Sequence, residues 1–299
     1  MNGVLIVDKP QDFTSFDVVA VVRKLFKTKK VGHTGTLDPM ATGVLPVLIG
    51  NATKAQQFMP DHTKEYIAQI RLGLVTDTLD KTGRIISDIR SNVNEAQFRE
   101  ILTKFTGDIM QTPPMYSAVK IDGKRLYELA REGKSVDVPP RPVTIYKLEL
   151  ISFNEALQTA QIKVACSSGT YIRSLCADIG SMLGCGAALT ELRRTRACGF
   201  DLSSAYTLEE LKNLAASNSI FECVAPVESL FSDYESVKVS NAQTFRFKNG
   251  GGLDLDRLKS LSTTINGAII RVYASDGTFI GLGKISKSKN ELSFLKLFL

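Results

Sequence analysis

One stretch of this chain, residues 32–50, constrains the fold more than any other. It reads GHTGTLDPMATGVLPVLIG and combines glycines, threonines, one of the chain's two histidines and an Asp-Pro step ahead of an apolar run. Glycine adopts backbone angles closed to other residues, so the loop can fold tightly and approach a ligand closely. Pro39 fixes its own φ angle and biases Asp38 towards extended geometry. Residues 45–49 are typical of a short buried strand.

This arrangement displays one carboxylate, that of Asp38, on a stiff loop beside a core element. Catalytic acids, bases and nucleophiles are commonly displayed in this way. Asp before Pro in a Gly- and Thr-rich segment is also a common turn former, and the local pattern alone favours that structural role. The stretch therefore makes Asp38 a candidate catalytic residue without assigning it that role.

The composition is that of a globular chain with a mild basic excess. Its 299 residues carry 37 Lys and Arg against 31 Asp and Glu, a formal charge of +6, which fits either a polyanionic partner or simply a basic protein. The length predicts one large domain or two. Five cysteines without C-x-x-C spacing, and no signal-like segment, predict reduced thiols in a cytoplasmic protein. The apolar run over 4–7 is too short for a membrane span.

Hydrophobic periodicity predicts mixed helices and strands up to about residue 232. Ser15 is the expected cap of the first helix, and Tyr171 and Arg173 fall in the first turn of a later one. The predicted elements are strands over 4–7, 45–49, 64–72, 143–153 and 159–165, and helices over 15–27, 53–59, 94–105, 124–131 and 171–183.

Two further regions differ from the rest of the chain in composition and in predicted secondary structure. Residues 112–142 are bounded by prolines, contain an Asp122-Gly123 turn signal, and interleave tyrosines with basic residues, namely Lys120, Lys124, Arg125 and Arg141. Such a segment is typical of an insertion that covers a ligand or of a solvated loop, and its aromatics favour nucleic acid. From residue 233 the pattern is β-rich. We therefore expect domains over 1–232 and 233–299, with 224–231 as the linker.

Several kinds of chemistry have no support in the sequence. There is no phosphate loop, dinucleotide fingerprint or nucleophile elbow. His33 and His62 lack metal-type spacing. Asp77 and Asp80 could hold magnesium, but carboxylates in such a segment are far more often turn formers. What remains is Asp38 with scattered basic and aromatic groups and no cofactor, which fits a near-isoenergetic or hydrolytic reaction.

The segment GHTGTLDPMATGVLP resembles the signature motif of the TruB family of tRNA pseudouridine synthases. The resemblance extends in order over about residues 3–232, through the segments GVLIVDKPQDFTSFDVV, KEY, PPMYSAVKIDGKRLYELAREGK, SSGTYIRSLCADIG and LTELRRTRACGF. It implies an α+β pseudouridine synthase fold, with a mixed, largely antiparallel central sheet flanked by helices. The tail resembles the family's small PUA-like RNA-binding domain in length, position and β-rich texture.

The resemblance implies an isomerase, an intramolecular transferase that converts the T-arm uridine at position 55 of tRNA to pseudouridine. Uracil is detached from C1′, turned and reattached through C5. No metal or cofactor is expected, the partner is the T-arm stem-loop of tRNA, and no membrane or obligate protein partner is implied for what we expect to be a monomer.

The resemblance also assigns roles to individual residues. Asp38 is the catalytic aspartate, Arg173 pairs with it, and Tyr66 stacks on the flipped base. Stacking returns roughly 1–3 kcal/mol per base, which offsets the roughly few kcal/mol that flipping costs. A guanidinium keeps a buried Asp ionised. The residues expected to contact RNA or substrate are His33, Tyr171, Leu192, Lys64, Lys120, Lys124, Arg125 and Arg141.

Three other functions stay open at this point. A guide-RNA-dependent pseudouridine synthase shares the same motifs. A tRNA-binding or folding protein with incidental catalysis would use the same basic insertion and tail. A metal-dependent hydrolase would use Asp77 and Asp80.

Overall fold

The computed structural model describes residues 1–121, 123–134, 136–258, 260–263 and 265–299. The strands are β1 (Gly3–Lys9), β2 (Val31–His33), β3 (Thr42–Ile49), β4 (Lys64–Leu72), β5 (Leu74–Thr76), β6 (Ile85–Asp88), β7 (Gly107–Gln111), β8 (Lys120–Ile121), β9 (Lys124–Arg125), β10 (Arg141–Asn154), β11 (Thr159–Cys166), β12 (Ala187–Ala197), β13 (Phe200–Asp201), β14 (Ser236–Lys238), β15 (Leu253–Asp254), β16 (Ile269–Tyr273), β17 (Phe279–Ser286) and β18 (Glu291–Leu297). The helices are α1 (Ser15–Leu25), α2 (Glu95–Thr103), α3 (Leu126–Arg131), α4 (Ile172–Met182), α5 (Leu208–Ala216) and α6 (Asn241–Lys248).

A large mixed sheet organises the first part of the chain. Its strand order is β1-β3-β12-β4-β11-β10-β7, with β2 added to β3 and β13 to β12. The β3–β12 pair is parallel, whereas the other neighbours are antiparallel. The predicted α+β class with a mixed, largely antiparallel sheet is confirmed.

Strand β4 shows how the sequence builds this sheet. Its alternate residues Tyr66, Ala68, Ile70 and Leu72 are buried, because successive side chains of a strand point to opposite faces. That face packs beneath α2 and α4 in one apolar core. Hydrogen bonding on both edges, to β11 and β12, makes β4 a central strand. The predicted strand over 64–72 is therefore confirmed.

One local prediction needs correction. Thr14, rather than Ser15, caps α1, in a capping box with Asp17. Ser15 is buried, and its hydroxyl both accepts a hydrogen bond from Leu37 N and faces Leu37 O, at 2.8 and 3.2 Å. Residues 188–192, which are only partly apolar and were assigned to no element, belong to the longer β12. Its charged second half stays in the sheet because β3 and β4 pair with it on both sides.

The C-terminal part forms a separate sheet of order β14-β16-β17-β18-β15. Its own apolar core includes Val237, Phe247, Ile270 and Leu292. Helix α6 was not predicted, because its residues are mostly exposed and give no apolar stripe. A Ser240–Gln243 capping box starts it.

The stretch predicted as a linker, residues 224–231, is not one. It contains a 3-10 helix, Val227–Phe231, whose apolar side chains lie in a core shared with Phe279 and Phe298 of the C-terminal sheet. The five cysteines are free thiols. Within the described residues, no helix is long and apolar enough to cross a membrane. Of the predicted turn at Asp122-Gly123, Asp122 lies outside the described residues.

Candidate active site

The Asp38 loop lies between β2 and β3 and is pinned at several points. Leu37 and Met40 are buried on either side of Asp38, and the Ser15 hydroxyl holds Leu37 N. The Pro39 carbonyl accepts from Asp12 N at 2.9 Å. The Asp38 side chain keeps 34% of its surface exposed. The loop therefore presents one carboxylate at the edge of a dry core.

Arg194, on β12, packs against the Asp38 loop and hydrogen-bonds its backbone. It is fully buried, and its guanidinium donates to the carbonyls of Val44 at 2.7 Å and Gly35 at 3.2 Å. Gly43 has φ +105, and a Cβ there would lie 2.2 Å from the Arg194 carbonyl oxygen. The loop and β12 therefore fit together only with glycine at position 43.

Arg173 is the partner of Asp38, as the sequence predicts. Its Nε lies 2.8 Å from Asp38 Oδ2, and its Nη2 donates to Oδ1 at 3.3 Å. The same guanidinium donates to the carbonyls of Tyr116 at 2.9 Å and Thr78 at 3.1 Å. Arg173 is only 4% exposed and comes from the first turn of α4. These four contacts to three partners fix the guanidinium, so the Asp38 carboxylate has a rigid, two-point counter-charge.

Asp80 is a second carboxylate on Arg173, and sequence reasoning missed its role. It is 5% exposed, and its Oδ2 lies 3.7 Å from Arg173 Nε. Its Oδ1 accepts from the backbone N and the hydroxyl of Thr82, at 2.9 and 2.6 Å. The turn interpretation of Asp80 was thus correct, but the turn also places a second carboxylate beside Arg173. The Asp77 carboxylate accepts from Arg84 N.

The described residues contain no group of three or more His, Cys, Asp or Glu side chains arranged to hold a metal ion. Asp80 is already committed to Arg173 and to its own turn. The observed contacts therefore favour an ion-pair site over the alternative of a hydrolase that uses Asp77 and Asp80.

Lys9, at the end of β1, is a further residue that sequence reasoning missed. It is fully buried, and its ammonium donates to the carbonyls of Phe13 at 2.6 Å, Pro10 at 2.9 Å and Pro39 at 3.2 Å. Burial lowers the pKa of Lys9 to about 8, against the opposing effect of the Asp38 charge. The ammonium therefore ties β1 to the residue that follows Asp38. The Asp8-Lys9-Pro10 step is the signal that could have found it.

Tyr66 and Leu192 form part of the apolar floor near Asp38. Both are buried, and they share a core with Leu37 and Met40 of the loop. Burial raises the pKa of Tyr66, an effect that the nearby Arg194 partly opposes. The tyrosine is therefore a neutral phenol on a central strand of the sheet.

A polar cavity of about 580 Å³ opens beside the loop. Its lining includes Thr34, Thr53, Lys54, Gln56, Gln57, His62 and Lys64. Lys64 donates to the His62 carbonyl at 3.0 Å, and burial lowers its pKa. Two lysines and several amide and hydroxyl groups in an open cavity suit a phosphate and a polar heterocycle.

His33 and Tyr171 lie on elements that border the site. The His33 Nδ1 is buried without a hydrogen-bond partner among the described residues, and burial lowers the pKa of this imidazole, with Arg194 adding to the effect. It is therefore a neutral ring that can accept or donate one bond. Tyr171 caps α4, and Gln111 bonds both its backbone N and O, at 2.7 and 3.1 Å.

The basic residues of the insertion are not part of this cluster. Lys120, Lys124, Arg125 and Arg141 are exposed, and they lie on β8, β9 and the start of β10. The insertion reaches the site through its backbone, by the Tyr116 carbonyl on Arg173. Of residues 112–142, Asp122 and Ser135 lie outside the described part.

Two solved structures contain chains with the same fold as this one. A Cbf5-Nop10-Gar1 complex contains a chain that is 26% identical, with a TM-score of 0.74 over 99% of this chain and 84% of that one. The structure of an H/ACA RNP bound to a substrate RNA containing 2′-deoxyuridine gives a TM-score of 0.74 at 23% identity, over 99% and 85%. The latter similarity is one of fold alone.

Sequence comparison then gives the family. The model for the TruB family pseudouridylate synthase (N terminal domain) matches residues 23–172, and that for the tRNA pseudouridylate synthase B C-terminal domain matches 173–232. A tRNA pseudouridine synthase B from Clostridium tetani is 43% identical over 99% of both chains. One from Francisella tularensis subsp. tularensis is 50% identical over 78% of this chain and 77% of its own. The chain belongs to the TruB family of pseudouridylate synthases.

Proposed function

We propose that this chain is a tRNA pseudouridine synthase, an isomerase that converts the T-arm uridine at position 55 of tRNA to pseudouridine. The observation that carries the proposal is the Asp38 carboxylate, one-third exposed and held at two points by the buried Arg173. Its relatives at 43% and 50% identity are tRNA pseudouridine synthases by name, which supports the same substrate class.

In the proposed reaction the N1–C1′ bond of uridine breaks and a C5–C1′ bond forms, while the proton leaves C5 and N1 ends protonated. Asp38 attacks or otherwise activates the nucleoside. Arg173 pairs with the Asp38 carboxylate and fixes its orientation, since a carboxylate without a cation in this position would be a costly unpaired charge. Because one C–N bond is replaced by one C–C bond within the same nucleotide, the reaction needs no second substrate.

The target base must leave the RNA stack before Asp38 can reach it. We propose that Tyr66 stacks on the flipped uracil and that Leu192 lines the uracil pocket, because both belong to the apolar floor beneath the loop. We also propose that the Tyr66 hydroxyl, a neutral phenol because burial raises its pKa, assists removal of the proton from C5 as a hydrogen-bonding group. A dry floor also strengthens the Asp38–Arg173 attraction.

The surrounding RNA is proposed to bind across the cavity and the basic insertion. Lys64, with Lys54, lines the cavity, and His33 and Tyr171 border the site. The exposed Lys120, Lys124, Arg125 and Arg141 would close over the RNA as a covering segment. We also propose that residues 1–232 are the catalytic domain and 233–299 a PUA-like RNA-binding domain, consistent with the separate core of the C-terminal sheet.

The test is product analysis of a bare T-arm stem-loop treated with the purified chain. We expect pseudouridine at the target position without guide RNA, metal or protein partner. Excess chelator should leave the yield unchanged. Conversion that appears only when a guide RNA or another protein is added would instead favour the guide-dependent alternative, and binding without conversion would favour a tRNA-folding role.

A further inference from the structure

Residues 50–59, which we call the cavity segment, have one buried side and one side that lines the polar cavity. Ala52, Ala55 and Met59 are buried, and they lie in the core that also contains Phe279, Leu282 and Phe298 of the C-terminal sheet. The opposite side of the segment lines the polar cavity, through Thr53, Lys54, Gln56 and Gln57. One short segment therefore has the C-terminal sheet on one side and the proposed RNA cavity on the other.

Two side-chain hydrogen bonds tie the cavity segment to the C-terminal part of the chain. The Tyr234 hydroxyl donates to the Phe58 carbonyl at 2.9 Å. Asn51 Nδ2 donates to the main-chain oxygen of Leu299 at 2.7 Å. The two bonds hold opposite ends of the segment. The Tyr234 ring is stacked on Phe231, with centroids 6.3 Å apart, so the ring keeps its place without its hydroxyl.

The cavity segment also contacts the Asp38 loop. Gln56 Nε2 donates to the Thr34 carbonyl at 3.3 Å, and Thr34 lines the cavity as well. Among the residues that the structure describes, the cavity lining includes none from the C-terminal sheet. That sheet is thus connected to the cavity without forming its wall.

We propose that Tyr234 and Asn51 are positioning residues, through which the C-terminal sheet holds Lys54 and its neighbours in place for RNA. This role is separate from any direct contact of that sheet with RNA. It rests on the proposed function, because it requires the cavity to bind the substrate RNA. The Asp38–Arg173–Asp80 contacts do not pass through the cavity segment, so the chemical step should be spared when the two bonds are removed.

The test uses the full-length double variant Tyr234→Phe/Asn51→Ala, which removes both bonds and leaves the buried face of the segment intact. The matched control is Tyr273→Phe, which removes a phenol oxygen that contacts Arg271 within the C-terminal sheet. For each protein we would measure kcat, KM and the Kd for a T-arm stem-loop. The same three constants are measured again for each protein carrying Lys54→Ala as well. Comparing the two series gives the coupling between Lys54 and the two substituted residues.

Each lost hydrogen bond should weaken binding about 3- to 5-fold. We therefore expect KM and Kd of the double variant to rise about 10-fold, with kcat at saturating RNA within 2-fold of the parent. In the Lys54→Ala background, the same two substitutions should raise KM by less than about 3-fold, since the residue they position is gone. The control should stay within 2-fold throughout.

An unchanged KM and Kd would overturn the inference, and so would an equal fold-change with and without Lys54. A fall in kcat at unchanged KM would also overturn it, because the substitutions would then act on the chemical step. If the parent binds the stem-loop but converts no uridine, the proposed function fails instead. The Kd values still decide the positioning role in that case.

Discussion

The guanidinium of Arg173 is the group whose replacement tests the site most sharply. It contacts Asp38 at 2.8 and 3.3 Å, Asp80 at 3.7 Å, and two backbone carbonyls at 2.9 and 3.1 Å. Arg173→Lys keeps the charge but has a single ammonium, which cannot reach all of these partners at once. The variant should therefore hold Asp38 by one bond instead of two.

The size of the effect follows from that lost bond. A hydrogen bond to a charged group is worth about 1.5–3 kcal/mol, and we take the lower part of this range because Asp38 is one-third exposed. About 2 kcal/mol corresponds to a roughly 30-fold loss in rate. Arg173→Met, which leaves Asp38 and Asp80 without a cation, should lower kcat by more than about 10³-fold and destabilise the fold by about 3 kcal/mol.

The assay is single-turnover conversion of the T-arm stem-loop at saturating enzyme, which separates chemistry from binding. The control is Arg71→Lys, because the single Nη2 of Arg71 contacts both carboxylate oxygens of Asp88 outside the site, at 2.7 and 2.9 Å, a contact that one ammonium can keep. A rate for Arg173→Lys within 3-fold of the parent would show that two-point contact is not required, and would refute this reasoning.

Three further predictions concern stability and RNA binding. Because burial lowers the pKa of Lys9 from 10.5 to about 8, the unfolded chain binds more protons between these values. The free energy of unfolding of the parent, relative to Lys9→Met, should therefore rise from about pH 8 to pH 10 in urea titrations, and a fall would contradict the burial. Gly43→Ala places a Cβ 2.2 Å from the Arg194 carbonyl oxygen and should lower the free energy of unfolding by about 3–5 kcal/mol. Gly107→Ala, at φ +97 with open space around it, should lower it by about 1–2 kcal/mol. Equal losses for the two variants would refute the close fit at Gly43. RNA affinity should fall steeply with salt, and Lys120→Ala should reduce the slope of log K against log salt by about 0.7–1; an unchanged slope would exclude Lys120 from the RNA contacts.

The sequence allowed the central ion pair to be predicted, because Asp38 and Arg173 each lie in a long family motif. Local pattern alone did not suffice, since an Asp-Pro step is usually a turn. The β4 strand with Tyr66 was predictable from simple alternation, because a half-buried strand repeats every two residues. The two-domain division and the roles of the RNA-contacting residues remain predictions.

The remaining parts of the site could not be predicted for a physical reason. Asp80, Lys9 and Arg194 act by bonding backbone carbonyls, amides or a second charged group from distant segments. Those partners have no side-chain signature in the sequence. Asp80 in particular resembles any turn aspartate until its second oxygen is seen 3.7 Å from Arg173.

The measurement that bears most directly on the proposed function is the Asp38→Asn variant assayed on the T-arm stem-loop. The amide keeps the shape of the carboxylate but cannot act as a charged nucleophile or pair with Arg173. We expect no detectable pseudouridine in single-turnover conditions, with the Kd for RNA within about 5-fold of the parent, a change of about 1 kcal/mol. Conversion by Asp38→Asn at a rate comparable to the parent would contradict the assignment of this carboxylate as the catalytic group.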